Sequence, residues 1–391
     1  MDPYTNPFAP GAGSRPPELA GRDDILEAAK IACARALSGR STRSLMLLGL
    51  RGTGKTVLIT EIKKISEEAG LLVSKVEAPE QESLARLLYP EMRKVLRSLS
   101  TVEAAKQFAF EGLRGLRSFA AAFEIVVGSA EVKVQPQPGV ADSGDLQYDL
   151  PDMFTQIGKT AQAAGKGWAL LIDEVQYLSE DDLSALIVAL HTMSQERLPV
   201  VVFGAGLPQV AKLAGEAKSY AERLFGYPPV GALDEPSAAS AVQKPLNDEG
   251  VTIAPLALKE IVARTQGYPF FIQEWASITW DGAEGPEITL EDVQTAYDET
   301  IRSLDGGFFK VRMDRLTKAE IQFVIAMAKL GDGPYAMADI AALMDRKISS
   351  LGPARAKIIS KGMIYSSEHG YLDFTVPLFA DFLRRYTGEA P

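Results

Sequence analysis

The chain has 391 residues and a formal net charge of −10, with 46% hydrophobic and 24% charged residues, close to the globular average. This balance excludes a disordered, fibrous or disulfide-scaffold protein, and the length suggests two or three domains. One cysteine, Cys33, leaves no intrachain disulfide and no cysteine-built zinc site, two histidines leave little for a His-rich metal centre, and a reducing cytoplasmic location is expected.

Residues 1–17 carry Pro3, Pro7, Pro10, Pro16 and Pro17 and read as a flexible tail. They lack a basic start followed by an apolar stretch, so no signal peptide is expected. The apolar runs, such as Trp168 to Ile172 and Leu198 to Leu207, are too short to span a bilayer and fit buried parallel strands.

In chain order, Asp23 to Ser38 has helical spacing and stops near Gly39. Leu45 to Leu48 is a short buried strand, Lys55 to Ala69 a helix ended by Gly70, and Leu71 to Val76 the next strand. Glu82 to Leu99 and Val102 to Ala121 read as helices, Phe123 to Val134 as a hairpin turning near Gly128, and Gln135 to Asp149 as a loop. Pro151 to Gly165 and Leu183 to Glu196 are helices, with strands at Trp168 to Ile172 and Pro199 to Phe203. Strands alternating with helices predict an α/β fold with a parallel sheet. From about Leu233 helices dominate.

Two motifs carry the chemistry. Gly49-Leu50-Arg51-Gly52-Thr53-Gly54-Lys55-Thr56 is G-x-x-x-x-G-K-[ST], placed between a predicted strand and a predicted helix. Its glycines let backbone N–H groups cradle phosphate oxygens, and the helix N-terminus adds its positive dipole. Lys55 neutralises the β- and γ-phosphates, Thr56 ligates Mg²⁺, and Val57 completes the segment lining the nucleotide. Arg51 is at a variable position and is expected to face solvent. Trp168-Ala-Leu-Leu-Ile-Asp173-Glu174 is an apolar strand ending in two acids, the Walker B pattern. Asp173 can hold Mg²⁺, and Glu174 can orient and deprotonate the attacking water.

With Gly21-Arg22-Asp-Asp-Ile-Leu26 upstream, these motifs resemble the AAA+ ATPases, closest to the replication-initiator (origin-recognition) and archaeal or STAND-like members. The resemblance spans about residues 18–391. It implies a P-loop ATPase domain at 18–232, a helical lid at 233–308 and an output module at 309–391. It also implies Mg-dependent binding and hydrolysis of ATP, with Gly21 and Arg22 beside the adenine. The strand Val200 to Pro208 ends in Gly206-Leu207 without the Asn, Ser or Thr that the family often places there. Lys55 and Asp173 lie 118 positions apart, and the excess is an insertion at about 79–150. It reads as a packing element of the family or as a surface for DNA or a partner, with packing preferred.

Arg223 occupies the place from which, in similar ATPases, an arginine reaches the γ-phosphate of a neighbouring subunit; the other reading pairs it with Glu222 or Glu216. The first reading implies a homo-oligomer. Gly267-Tyr-Pro269 matches the G-x-P of the lid, close to base and phosphates, and Arg264 is the nearest candidate for a second sensing cation.

Residues 310–391 hold 12 Lys/Arg and 9 Asp/Glu, so this region is net positive on an acidic body. Thr317 to Leu330, Ala338 to Met344 and Ser349 to Lys361 read as three helices, followed by strands Met363 to Ser366 and Tyr371 to Val376 and a closing helix Pro377 to Tyr386. That order is a helix-turn-helix with a wing. Arg355, Lys357 and Lys361 would be polar outer positions of the third helix, the one that enters a major groove. Two outputs stay open: double-stranded DNA binding, or a STAND-like signalling or defence protein whose module docks a protein. No membrane partner is expected.

Overall fold

A computed structural model describes residues 1–11, 13–79, 82–126 and 138–388. The chain forms two compact bodies: Arg22–Gly49 with Lys55–Val230, and Met1–Gly21 with Leu50–Gly54 and Gly231–Pro391.

The first body contains α1 (Asp23–Leu37), β1 (Ser44–Leu48), α2 (Lys55–Glu68), β2 (Leu71–Glu77), α3 (Leu84–Leu99), α4 (Lys106–Ala122), α5 (Leu146–Ala163), β3 (Gly167–Asp173), α6 (Glu180–Glu196), β4 (Val200–Gly206), α7 (Val210–Ala217), α8 (Ala221–Leu224) and β5 (Phe225–Gly226). All five strands pair in parallel, in the order β2-β3-β4-β1-β5. β3 and β4 are buried along their whole lengths because helices cover both faces, which is why they read as unbroken apolar runs. Trp168 fixes the start of β3: its Nε1 donates to Ser74 Oγ at 3.2 Å, and its ring meets Phe154 edge-on.

The insertion is built into this core. Leu88, Met92 and Leu96 of α3 and Phe119 of α4 are buried in one cluster with Phe154, Trp168 and Leu186. α5 begins earlier than expected. Asp145 caps it by accepting from Gln147 N, and Pro151 lies inside the helix instead of opening it. The capping bond decided the start, and the proline was tolerated. Most of the hairpin expected at 123–134 lies outside the described residues.

The second body contains α9 (Glu235–Asp248), β6 (Thr252–Ile253), α10 (Pro255–Thr265), α11 (Pro269–Gly282), β7 (Glu287–Ile288), α12 (Leu290–Thr295), α13 (Tyr297–Ser303), a π-helical stretch Leu304–Phe309, α14 (Lys310–Met313), α15 (Lys318–Lys329), β8 (Tyr335–Ala336), α16 (Met337–Leu343), α17 (Ile348–Ser360), β9 (Ile364–Glu368), β10 (Tyr371–Phe374) and α18 (Phe379–Tyr386). β8, β10 and β9 form an antiparallel sheet. Thr317 and Glu320 make a capping box on α15. The boundary expected at 308/309 is not a break in packing. Phe271, Phe309, Phe379 and Phe382 stack into one core, with Phe309 and Phe382 ring centroids 5.3 Å apart.

The flexible tail is corrected for its first nine residues. Phe8 is buried in the core of the second body, Asn6 Nδ2 donates to Ser277 O and Asp281 Oδ1, and Ala9 N donates to Gln273 Oε1. The segment is a strap along α11. Composition pointed to disorder, but one buried aromatic and a few polar bonds to α11 hold it in place.

Candidate functional site

The sheet order places the C-terminal ends of β1, β4 and β3 side by side. With strands about 4.8 Å apart, three chain segments share one edge. Gly49 N donates to Gly206 O at 3.1 Å and Val230 N to Leu48 O at 2.7 Å, tying the phosphate loop to the ends of its neighbours.

Gly52 and Gly54 have φ of +85° and +91°, which glycine adopts without strain. Thr53 Oγ1 donates to Leu50 O at 2.8 Å and holds the turn closed. Lys55, the first residue of α2, is buried and folds back so that Nζ donates to Gly49 O at 2.9 Å. Its ammonium is thus held over the loop. Thr56 is exposed, and Val57 is buried under the helix. A left-handed glycine loop, a helix N-terminus, a lysine bent over the loop and an exposed threonine hydroxyl together fit a polyphosphate with its metal ion.

Asp173 ends β3 and is 5% exposed; its Oδ1 accepts from Glu174 N at 2.9 Å. That bond holds Glu174 in the left-handed region, φ +54°. A short turn, Val175–Tyr177, follows. Gln176 Nε2 donates to Glu174 Oε2, and Gln176 Oε1 accepts from Leu207 N at 3.2 Å. Sequence reasoning missed Gln176. The one signal was its position two residues after Glu174, which alone says nothing of a bond.

Arg51 does not face solvent as expected. It is half-buried with its Nε shielded from water, and a Cβ on Gly362 would stand 2.7 Å from that atom. Tyr268, the residue before α11, packs on Gly52: a Cβ there would meet its ring at 2.9 Å. Burial pushes the Tyr268 phenol above its ordinary range. Burial also lowers the Arg312 guanidinium to about 10, with Tyr268 opposing and Arg51 and Arg315 assisting. These residues belong to the second body. No local pattern signals that Arg51, Tyr268 and Arg312 act on one another, since more than 200 positions separate the first from the others.

Other expected residues fall as follows. Gly21, φ +66°, abuts Ser237, and Arg22 is buried, which lowers its pKa by desolvation. Gly267, φ +68°, cannot carry a Cβ, which would collide with the Leu233 carbonyl; Pro269 opens α11 at its first turn. Arg264 is engaged elsewhere: its Nε donates to Glu260 at 2.6 Å and its guanidinium lies over the Tyr297 ring. Arg223 is exposed on α8.

The three basic residues expected on the outer face of α17 do not act alike. Lys361 Nζ is bound to Glu320 Oε2 at 2.6 Å and Arg315 O at 2.8 Å, so it is turned into its own module and corrected as an outward contact. Arg355 donates to Ser366 Oγ, and Lys357 is exposed. Among the described residues no cluster of three His, Cys, Asp or Glu could hold a metal, and no helix is long and apolar enough to cross a membrane.

A parallel sheet in this order, with a glycine loop opening a helix and a strand ending in Asp-Glu two strands away, defines an α/β P-loop fold of the AAA+ kind. Residues 18–203 match the AAA ATPase domain family, and residues 306–383 match a domain of unknown function, DUF8462. Among solved structures the chain is similar to the Walker-type ATPase of Pyrococcus abyssi, at 15% identity and TM-score 0.57, over 95% of this chain and 97% of that one. It is also similar to the Aeropyrum pernix Orc1 protein in complex with DNA, at 14% identity and TM-score 0.47 over 94% and 93%. The Thermotoga maritima RuvB Holliday junction branch migration motor matches at 15% identity and TM-score 0.45, over 92% and 95%. No curated protein matches the chain significantly.

Proposed function

We propose that the chain binds Mg-ATP at Gly49–Thr56 and hydrolyses it, and that the nucleotide state sets the conformation of an output module at 309–391. The observation that carries this reading is the meeting of loop and acids at one sheet edge, with Gly49 N bonded to Gly206 O and Glu174 joined through Gln176 to Leu207. Loop N–H groups and the Lys55 ammonium bind the β- and γ-phosphates. Thr56 and Asp173 would hold Mg²⁺, which when bound would neutralise charge on those oxygens. Glu174 orients a water and takes its proton. The water oxygen bonds to the γ-phosphorus, the bond from γ-phosphorus to the bridging oxygen breaks, and ADP leaves.

Gly21 and Arg22 are assigned to the base, and Gly267 and Pro269 to the lid. Arg223 is assigned to the γ-phosphate of a neighbouring copy, and its exposure suits a role in trans. Phosphate release that requires Mg²⁺ and stops with a chelator supports the reading. Release unaffected by the chelator rejects it.

For the output, DNA binding draws support from net positive charge and from exposed Lys357. A protein dock has a specific observation in its favour: Lys361 is spent on Glu320, while Leu343 and Ile348 stand exposed around the start of α17. Duplex binding that weakens steeply with salt favours DNA; none at low salt, with ADP or with a slowly hydrolysed ATP analogue, favours the dock.

A further inference from the structure

We infer that Gln176 is the positioning residue for Glu174, supplying from the turn after β3 the polar group that the end of β4 lacks. The inference rests on the reading of Glu174 as the base. Glu174 sits in backbone space that few non-glycine residues occupy, held there by the bond from its N–H to Asp173. Gln176 then fixes its side chain. A carboxylate only accepts and a backbone N–H only donates, so one amide orientation satisfies both partners of Gln176. Nε2 faces Glu174 Oε2, and Oε1 faces Leu207 N. One carboxylate oxygen is engaged by the amide, leaving the carboxylate its second oxygen for a water.

Gly206 shows why the polar group comes from elsewhere. A Cβ at this position would stand 3.0 Å from Gln176 Oε1 and 2.9 Å from Val210 Cγ2. A side chain here would crowd the Gln176 bridge and Val210. The same bridge makes the orientation of Glu174 depend on the end of β4, whose Gly206 carbonyl accepts from Gly49 of the phosphate loop.

Two substitutions separate positioning from packing. Gln176→Met keeps length and bulk and removes both bonds. Gln176→Glu keeps the acceptor for Leu207 N but sets a second carboxylate against Glu174. Steady-state phosphate release is measured, and affinity for a slowly hydrolysed ATP analogue is measured alongside, with Glu174→Gln as reference. Gln176→Met is expected to lower kcat about tenfold, the weight of one hydrogen bond to a charged group, with nucleotide affinity within about twofold of wild type. Gln176→Glu is expected to lower kcat by at least as much, because it sets an acceptor instead of a donor against the Glu174 carboxylate, again with nucleotide affinity within about twofold of wild type. Wild-type kcat in Gln176→Met, with Glu174→Gln inactive, overturns the inference alone. So does wild-type kcat in a folded Gln176→Glu protein, or affinity that falls in step with kcat. Wild-type turnover in Glu174→Gln overturns the base assignment and this inference together.

Discussion

The edge of the parallel sheet and the outer face of α17 both carry the charged residues that sequence patterns single out, yet they treat them differently. At the sheet edge Lys55 donates to a carbonyl of its own loop, and Glu174 accepts from an amide. Each of these two bonds orients the group through a neutral partner. In the C-terminal module Lys361 meets a carboxylate and a carbonyl, and Arg355 a hydroxyl. A motif with fixed backbone geometry thus predicts where its charges act. A run of basic residues on a helix predicts only composition, and the fold decides which of them remain outside.

The strongest way to break this contrast is at Lys55. Lys55→Ala removes the cation held over the loop and is expected to weaken ATP binding at least about tenfold and up to about a hundredfold, the range for hydrogen bonds to charged groups. Calorimetric titration of the folded variant measures it. Unchanged affinity would mean that the oriented lysine does not meet the nucleotide.

Gly267→Ala comes next. Its φ of +68° and the Leu233 carbonyl leave no room for a methyl group. A loss of about 1–3 kcal/mol in unfolding free energy is expected from thermal or denaturant unfolding.

Lys361→Ala sharpens the other side of the comparison. Glu320 is buried, and burial alone would raise its pKa, but the Lys361 ammonium and the Thr317 N–H and hydroxyl hold it below the ordinary glutamate range. A lowered folded pKa gives stability that is present above the unfolded value of about 4.3 and lost as pH falls through the folded one. Lys361→Ala is therefore expected to cost about 1–3 kcal/mol at neutral pH. The cost should shrink as pH falls through the lowered folded pKa of Glu320, below which the group is protonated in either state. Equal cost above and below that pKa would contradict the ion pair.

Much of the fold was legible because it rests on local rules. The buried strands, the Gly49–Thr56 loop, the Asp173–Glu174 strand end and the capping box at Thr317 and Glu320 are each set within a few residues. What stayed hidden depends on residues far apart. The strap needs Phe8 to find a core built from α9 to α11, and Arg51 approaches Gly362 only through the tertiary fold. Gln176 needs β4 beside β3 before Leu207 N can reach it. The insertion looked like excess length, since nothing in α3 alone says that it packs with Phe154 and Trp168.

The smallest expected effect is at Lys357, the exposed member of the basic trio. If the module contacts duplex DNA, Lys357→Ala should lower the slope of log affinity against log salt by about one. Lys361→Ala should leave that slope unchanged. Anisotropy of a labelled duplex over a salt series distinguishes them, and a slope change in Lys361→Ala alone would reverse the contrast between the two residues.

Glu174→Gln separates nucleotide binding at the loop from hydrolysis by the acids at the end of β3. Binding of ATP and release of phosphate are measured in one preparation, wild type against variant. ATP affinity is expected to be retained and turnover to fall at least about tenfold. Wild-type turnover in a variant that binds ATP normally would contradict it.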